Sequence, residues 1–230
     1  MRKIVILTGA GISAESGIST FRDAGGLWEQ YDIMEVASID GWYKNKALVL
    51  EFYNQRRRQL FSVEPNAGHR ALVALEQKFE VSIITQNVDD LHERAGSSKV
   101  MHLHGELRKA RSTEDEFLIY DWDKDIQIGD VCELGSQLRP HIVWFGEVVP
   151  MITIAAAEVM KADILLIIGT SLQVYPAAGL AGYAPEHARI YYIDPHPGIT
   201  SNNHNFIILP EKATTGVPKV VQELLNKSDT

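Results

Sequence analysis

Continuous apolar runs constrain this chain more than any other feature. Four are clear, at residues 4–7, 81–84 (with Ser82 the one polar residue), 164–168 and 190–193, and residues 206–209 make a fifth candidate. Each is rich in β-branched residues and stops at a polar or glycine-bearing turn. A strand with one wet face alternates apolar and polar side chains, whereas an unbroken run suits a parallel strand covered on both faces. Helical patterns lie between the runs. Ala67, Ala71, Leu72, Leu75 and Phe79 keep helical spacing before the second run, and residues 154–161 are alanine-rich before the third. Near the end, Val217, Val220, Val221, Leu224 and Leu225 form an apolar stripe, with Pro218 suited to a first helical turn. Strands alternating with helices predict an α/β protein with a Rossmann-like, doubly wound parallel sheet.

Two segments break that rhythm. Residues 29–65 read as helical, and residues 106–139 are dense in acids, from Glu114 to Asp130, with Lys124 the only base among them. Both are expected to be insertions that pack together as a smaller lobe. The sheet domain is then expected over 1–28, 66–105 and 140–230, and the small lobe over 29–65 and 106–139.

Composition closes off several functions. The net charge of -8 leaves no surplus of Lys and Arg for neutralising phosphates, so no nucleic-acid partner is expected. The single cysteine, Cys132, can form neither an internal disulfide nor a cysteine-rich zinc site. Met1-Arg2-Lys3 precedes only four apolar residues, too few for a secretory core, and no run approaches the roughly 18 of a membrane span. A cytoplasmic protein with no membrane partner is expected.

The first run ends in Gly9-Ala10-Gly11-Ile12-Ser13-Ala14, which fits G-x-G-x-x-G/A directly after a strand. Glycines there let a backbone approach a diphosphate, and the following helix start offers N–H groups. A plain glycine turn is the alternative. A dehydrogenase would close a compact βαβ unit with an acid about 20 residues on. Here the next strand waits until Val81, and a glycine-bearing stretch with Phe21, Arg22 and Trp28 intervenes, as a lid over a cofactor would.

These residues carry a resemblance. Gly9-Ala10-Gly11-Ile12-Ser13 with Glu15-Ser16-Gly17-Ile18 and Phe21-Arg22 resembles the opening motif of the sirtuin (Sir2) family. Thr85-Gln86-Asn87-Val88-Asp89, His102-Leu103-His104-Gly105, Arg139-Pro140-His141-Ile142-Val143-Trp144-Phe145-Gly146-Glu147 and Gly169-Thr170-Ser171 resemble its later motifs, in family order, from residue 9 to about 216. Tyr53 and Arg56 resemble the Tyr-x-x-Arg of the bacterial-type branch that removes acidic acyl groups such as succinyl and malonyl, and Ala24 fits the same branch.

The resemblance implies an NAD-dependent protein-lysine deacylase that removes acetyl and, preferentially, succinyl or malonyl groups, releasing nicotinamide and O-acyl-ADP-ribose. It implies NAD contacts by Gly9, Ala10, Gly11, Glu15, Ser16, Phe21, Arg22 and Trp28 in the opening motif. Gly169, Thr170 and Ser171 would meet phosphate or ribose, though Thr170 and Ser171 equally suit helix caps. Asp194 would accept ribose hydroxyls and Ala213 would meet adenine through its backbone. Gln86, Asn87 and Asp89 would sit by the nicotinamide ribose, although Asn and Asp also favour ordinary turns. A histidine suits the base that activates a ribose hydroxyl. Period alone cannot choose between His102 and His104, which share a face of an extended segment; the resemblance chooses His104, leaving His102 structural.

Acyl-lysine proteins or peptides are the implied partners. Val143, Trp144, Phe145, Gly146 and Glu147 are expected to offer an extended edge to which a peptide adds a strand. Tyr53 and Arg56, three apart in a helical stretch, share a face that would meet an acyl carboxylate; pairing of the arginine with Glu51 is the alternative. Many sirtuins hold zinc with four cysteines between the histidine motif and the Arg-Pro segment. Here Ser112 stands near the place of the first and only Cys132 remains, so no zinc is expected, with Phe117, Leu118, Ile119, Tyr120 and Trp122 packing in its stead. An NAD glycohydrolase or ADP-ribosyltransferase on the same scaffold, or a non-catalytic NAD or ADP-ribose sensor, are the competing readings.

Overall fold

All five apolar runs become strands of one parallel sheet in the computed structural model, which describes residues 1–18, 31–198 and 204–226. They are β1 (Lys3–Thr8), β2 (Glu80–Thr85), β7 (Ile164–Ile168), β8 (Arg189–Ile193) and β9 (Phe206–Leu209); β3 (Val100–His102) completes the order β3-β2-β1-β7-β8-β9. The burial explains the unbroken runs. Ile4, Ile6, Leu166 and Tyr191 face a core with α5 (Ala67–Ala74) and α8 (Ala213–Asn226), built on Leu72, Val217 and Val221. Their neighbours Val5, Leu7, Leu165 and Tyr192 face the opposite core, with Ala155 and Val159 of α7 (Ile152–Val159). Both faces of the central strands β1 and β7 are therefore dry, while β9 at the sheet edge is half-buried.

Two helix readings shift. Pro218 lies inside α8, which starts five residues earlier than a first-turn proline implies. The burial of Ala213, Val217, Val220, Val221 and Leu224 outweighs the missing N–H. α5 stops at Ala74 and continues only as a 3₁₀ turn, Leu75–Gln77. Its start is fixed by Asn66, whose side chain accepts the Gly68 amide at 2.9 Å.

The small lobe combines α2 (Ile33–Val36), α3 (Ile39–Lys44) and α4 (Lys46–Leu60) with an antiparallel sheet of order β5-β4-β6, made of β4 (Gly105–Ser112), β5 (Ile119–Asp121) and β6 (Leu138–Ile142). Its core contains Trp42, Val49, Phe52, Tyr53, Leu107, Leu138 and Trp144. β6 crosses the boundary expected at residue 140 because it pairs with β4 along its length, as far as Ile142 against Gly105. The short α1 (Gly11–Ala14) and α6 (Leu91–Ala95) complete the fold, together with a 3₁₀ segment, Ala177–Tyr183. No described helix is long and apolar enough to cross a membrane.

Candidate active site

The chain runs outward from β1 to β2 and β3 on one side, and to β7, β8 and β9 on the other, so the switch point lies between β1 and β7. Loops after these strands meet there, where open α/β sheets bind ligands. Gly9 N–H donates to the Ile168 carbonyl (3.0 Å) and Gly11 N–H to that of Gly169 (2.9 Å). A Cβ on Gly9 would lie 2.7 Å from the Thr170 Cβ, and one on Gly11 would lie 2.7 Å from the Gly169 Cα. These glycines are thus required by loop-on-loop contact, before any ligand is considered.

Beside that contact lies a buried polar cluster. Asn87 donates to the Gly9 carbonyl and to Ser13 Oγ, both at 3.1 Å, and Ser13 Oγ donates to Asp89 Oδ2 at 2.9 Å. Burial pushes the Asp89 carboxyl up, against the Leu91 amide and the Ser13 hydroxyl, which favour its charged form. Gln86 Nε2 donates to Thr170 Oγ1 at 3.1 Å, tying the β2 loop to the β7 loop. Leu172, two residues on, is a non-glycine at φ 54°, a strained backbone position beside the site.

His104 Nδ1 lies 3.0 Å from the Gln86 carbonyl. A carbonyl only accepts, so Nδ1 carries the proton and the neutral ring keeps its lone pair on Nε2. Burial holds its pKa below the ordinary value, favouring that neutral form. This is the state a general base requires.

Other expected cofactor residues lie apart from this cluster. Ser16 accepts from Asn66 Nδ2 at 2.9 Å, and Glu15 accepts from Thr214 Oγ1 at 2.6 Å, pinning the start of α8. Asp194, at the end of β8, accepts the His196 amide at 2.8 Å. Ser171 is half-buried, and Ala213 is buried with its carbonyl against Gly68. Phe21, Arg22 and Trp28, with the expected lid, lie outside the described residues, as does Ala24.

The acyl-side residues divide. Tyr53 is 3% exposed and its hydroxyl accepts from Trp144 Nε1 at 3.0 Å, leaving the phenol proton to donate elsewhere. Burial pushes that phenol up to about 12, so it stays protonated. Arg56 is half-buried over the Phe52 ring, and the electrostatic attraction of Asp89 reaches it. Glu51, the acid that might have neutralised Arg56, instead pairs with Arg58 at 2.9 Å. Arg57 is buried separately, donating to the Leu107 carbonyl at 2.7 Å and to Asn54 at 2.9 Å.

The expected peptide edge needs correction. Residues 143–147 form no strand: Phe145 bridges to Ser38, its N–H and carbonyl already paired with Ala37 and Ile39, and the chain turns at Gly146. Trp144 is 2% exposed, and Arg139 stacks on its ring at 3.4 Å. Glu147 turns back to pair with Arg139 at 2.6 Å and to accept the Trp144 amide at 2.8 Å. Trp144 and Glu147 are therefore internal braces. Phe145 makes a single bridge to Ser38, and Val143 N–H donates to the His104 carbonyl at 2.9 Å. Only the exposed Phe145 side chain and Gly146 face outward.

Comparison with known proteins decides the family. Residues 9–176 match the Sir2 family. This chain belongs to the Sir2 family. A relative from Helicobacter pylori (strain ATCC 700392 / 26695), named NAD-dependent protein deacylase, is 57% identical over 225 residues, 98% of each chain. One of the same name from Bacteroides thetaiotaomicron is 52% identical over 231 residues, 98% of this chain and 99% of the relative. A solved Sir2 homologue in complex with NAD superposes with a TM-score of 0.87 at 37% identity, covering 97% of this chain and 89% of that one.

Where many Sir2 proteins hold zinc, this Sir2 chain has a hydrogen-bonded hub. Cys132 Sγ lies 3.3 Å from Ser112 Oγ and 3.1 Å from Ser136 Oγ, the two hydroxyls are 2.8 Å apart, and Ser112 Oγ also accepts the Glu114 amide at 3.0 Å. One thiol and two hydroxyls do not fit a structural zinc ion, which takes four Cys or His ligands. Among the described residues no group of three or more His, Cys, Asp or Glu is placed to hold a metal. The apolar packing expected here is partial: Leu118, Tyr120 and Trp122 join the lobe's core, but Phe117 and Ile119 are exposed. Two of the acids of this segment are paired, Asp123 with Arg108 at 2.7 Å and Asp125 with Arg58 at 2.5 Å.

Several buried partners give no sequence signal. His69 accepts the Asn66 amide on Nδ1 at 3.3 Å, leaving its proton on Nε2, 3.5 Å from Ser13 Oγ, and burial drives its pKa to about 4. His92 sits behind it, 3.1 Å from Thr8 Oγ1. These contacts span 56 and 84 residues of chain, so only the fold reveals them.

Proposed function

We propose that this chain is an NAD-dependent protein-lysine deacylase that acts on acetyl-lysine and preferentially on succinyl- or malonyl-lysine. The observation that carries the reading is the neutral His104, its Nδ1 held on the Gln86 carbonyl beside the Asn87–Ser13–Asp89 cluster. Among the described residues the Thr170 hydroxyl only accepts, and Gln86 Nε2 spends one of its two protons on it, so the remaining protons of both suit ribose and phosphate oxygens. When bound, NAD supplies an activated ribose carbon that takes over the acyl group. His104 Nε2 removes a proton from a ribose hydroxyl, Asn87 and Asp89 orient ribose and water, and Ser13 holds the Asp89 carboxylate in place.

Acyl preference rests on α4. Arg56 presents two parallel donors to a terminal carboxylate and Tyr53 adds its phenol proton. The electrostatic link of Arg56 to Asp89 supports an acyl pocket that opens toward the reacting loop. We further propose that the substrates are acyl-lysine proteins, and that the small lobe folds without zinc.

The test is incubation with NAD and acetyl-, succinyl- and malonyl-lysine peptides, following nicotinamide and the acylated ADP-ribose by mass spectrometry. Peptide-dependent release of both, fastest with the acidic acyl groups, is expected. Nicotinamide release without peptide would favour the glycohydrolase reading, and NAD binding without turnover would favour the sensor.

A further inference from the structure

His102 occupies a position that the reading so far leaves merely structural. Its side chain is 8% exposed. Nδ1 lies 3.0 Å from the Asn87 carbonyl and Nε2 lies 2.8 Å from Glu93 Oε1. Both partners are acceptors. A neutral imidazole has one N–H and would leave one nitrogen lone pair facing an oxygen lone pair at hydrogen-bond distance. Two protons satisfy both contacts, one of them charge-assisted. His104, two residues on, has an acceptor only at Nδ1 among its described hydrogen bonds. The two histidines thus grip the successive carbonyls of Gln86 and Asn87, one as a neutral ring and the other between two acceptors.

We propose that His102 is a positioning residue: an imidazolium clamped between Glu93 of α6 and the Asn87 carbonyl, fixing the loop that carries Asn87 and Asp89. The clamp rests on the proposed roles of those two residues. Its charge also bears on Asp89, whose carboxylate it favours against burial. The directions agree: Glu93 raises the His102 pKa against burial, and His102 lowers that of Glu93 against burial. The other groups facing the ring are Glu106 of β4, which also favours the cation, and the buried His92 of α6. The outer end of the pair opens on a cavity of about 600 Å³ whose further charged lining is Lys99, Glu106, Lys109 and Glu158.

Nitrogen-15 spectra of histidine-labelled full-length protein test the clamp directly. At pH 7.5 both His102 nitrogens are expected to be protonated, while His104 carries a proton on Nδ1 alone. A bare His102 nitrogen at that pH overturns the proposal. Glu93→Gln tests the positioning role. Without the counter-charge, burial is left to lower the His102 pKa and the ring loses its second proton at a lower pH. The variant's kcat should then fall by about tenfold relative to wild type at pH 8 and recover as the pH is lowered, with peptide KM unchanged. A pH-independent loss, or none, overturns the positioning role. If Glu93→Gln fails to fold, Glu93→Asp, which keeps the charge, should retain the wild-type profile; a shifted profile there counts against the clamp. Failure of the wild type to consume NAD defeats the proposed function, whereas the nitrogen spectra still decide the clamp.

Discussion

In the parallel sheet, stability comes mainly from apolar burial: Ile4, Leu165, Leu166 and Ile167 are each fully buried, and directional pairs such as Ser82 with Glu158 are the minority. In the small lobe, the buried set includes Arg57, Arg139 and Ser112, each held by directional bonds. Non-directional burial tolerates exchange of one apolar residue for another of similar volume, whereas a directional contact fails when either partner changes. The difference divides the work. On the proposed reading, the sheet holds a rigid ligand edge and the lobe supplies shape and charge for the acyl group.

Five experiments would break or sharpen that division. The largest effect belongs to the sheet edge. His104→Ala should lower turnover by roughly 10²–10⁴-fold on every acyl-lysine peptide, with NAD affinity and melting temperature nearly unchanged; selective loss on one acyl group would erase the division. Arg56→Met in the lobe should lower kcat/KM for succinyl-lysine at least ~30-fold, the low end of the cost of unpairing a desolvated charge. It should spare deacetylation, and equal losses on both substrates would make Arg56 structural. For stability, Leu166→Ala should cost about 2–5 kcal/mol by denaturant melts. Ser112→Ala should cost about 1–3 kcal/mol by leaving hub donors unmatched; the reverse order would contradict the two modes of support. The smallest expected effect is none: a chelator should leave the melting curve unmoved, and elemental analysis should find far less than one zinc per chain. Stoichiometric zinc with chelator-induced unfolding would return the lobe to metal support.

The same contrast explains what was legible in the sequence. Strands covered on both faces announce themselves as apolar runs, so β1, β2, β7 and β8 could be read directly; β9, a half-buried edge strand, was legible only because its four residues are all apolar. β3 is three half-buried residues at a sheet edge and carries no such run. β4 to β6 are short, mixed in polarity and paired across a bulge, so their periodicity is broken. The glycine turn was legible as a motif, but its reason was not, because the atoms that exclude a Cβ lie about 160 residues away in the β7 loop. The face shared by Tyr53 and Arg56 followed from helical spacing. The inward turn of Trp144 and Glu147 did not, since it depends on a salt bridge formed only once β6 is in place.

One feature of the backbone joins the two regions mechanically. His104 is followed directly by Gly105, the first residue of β4, at φ 82°, where a Cβ would lie 2.0 Å from the His141 carbonyl. The His104 carbonyl is also held by Val143 N–H, just past β6. His104 thus hangs from the same two strands that carry the lobe. A tilt of the lobe would move the imidazole as a lever moves its tip. If the proposed acyl site lies in the lobe, a poor fit there should register in the catalytic rate as well as in binding.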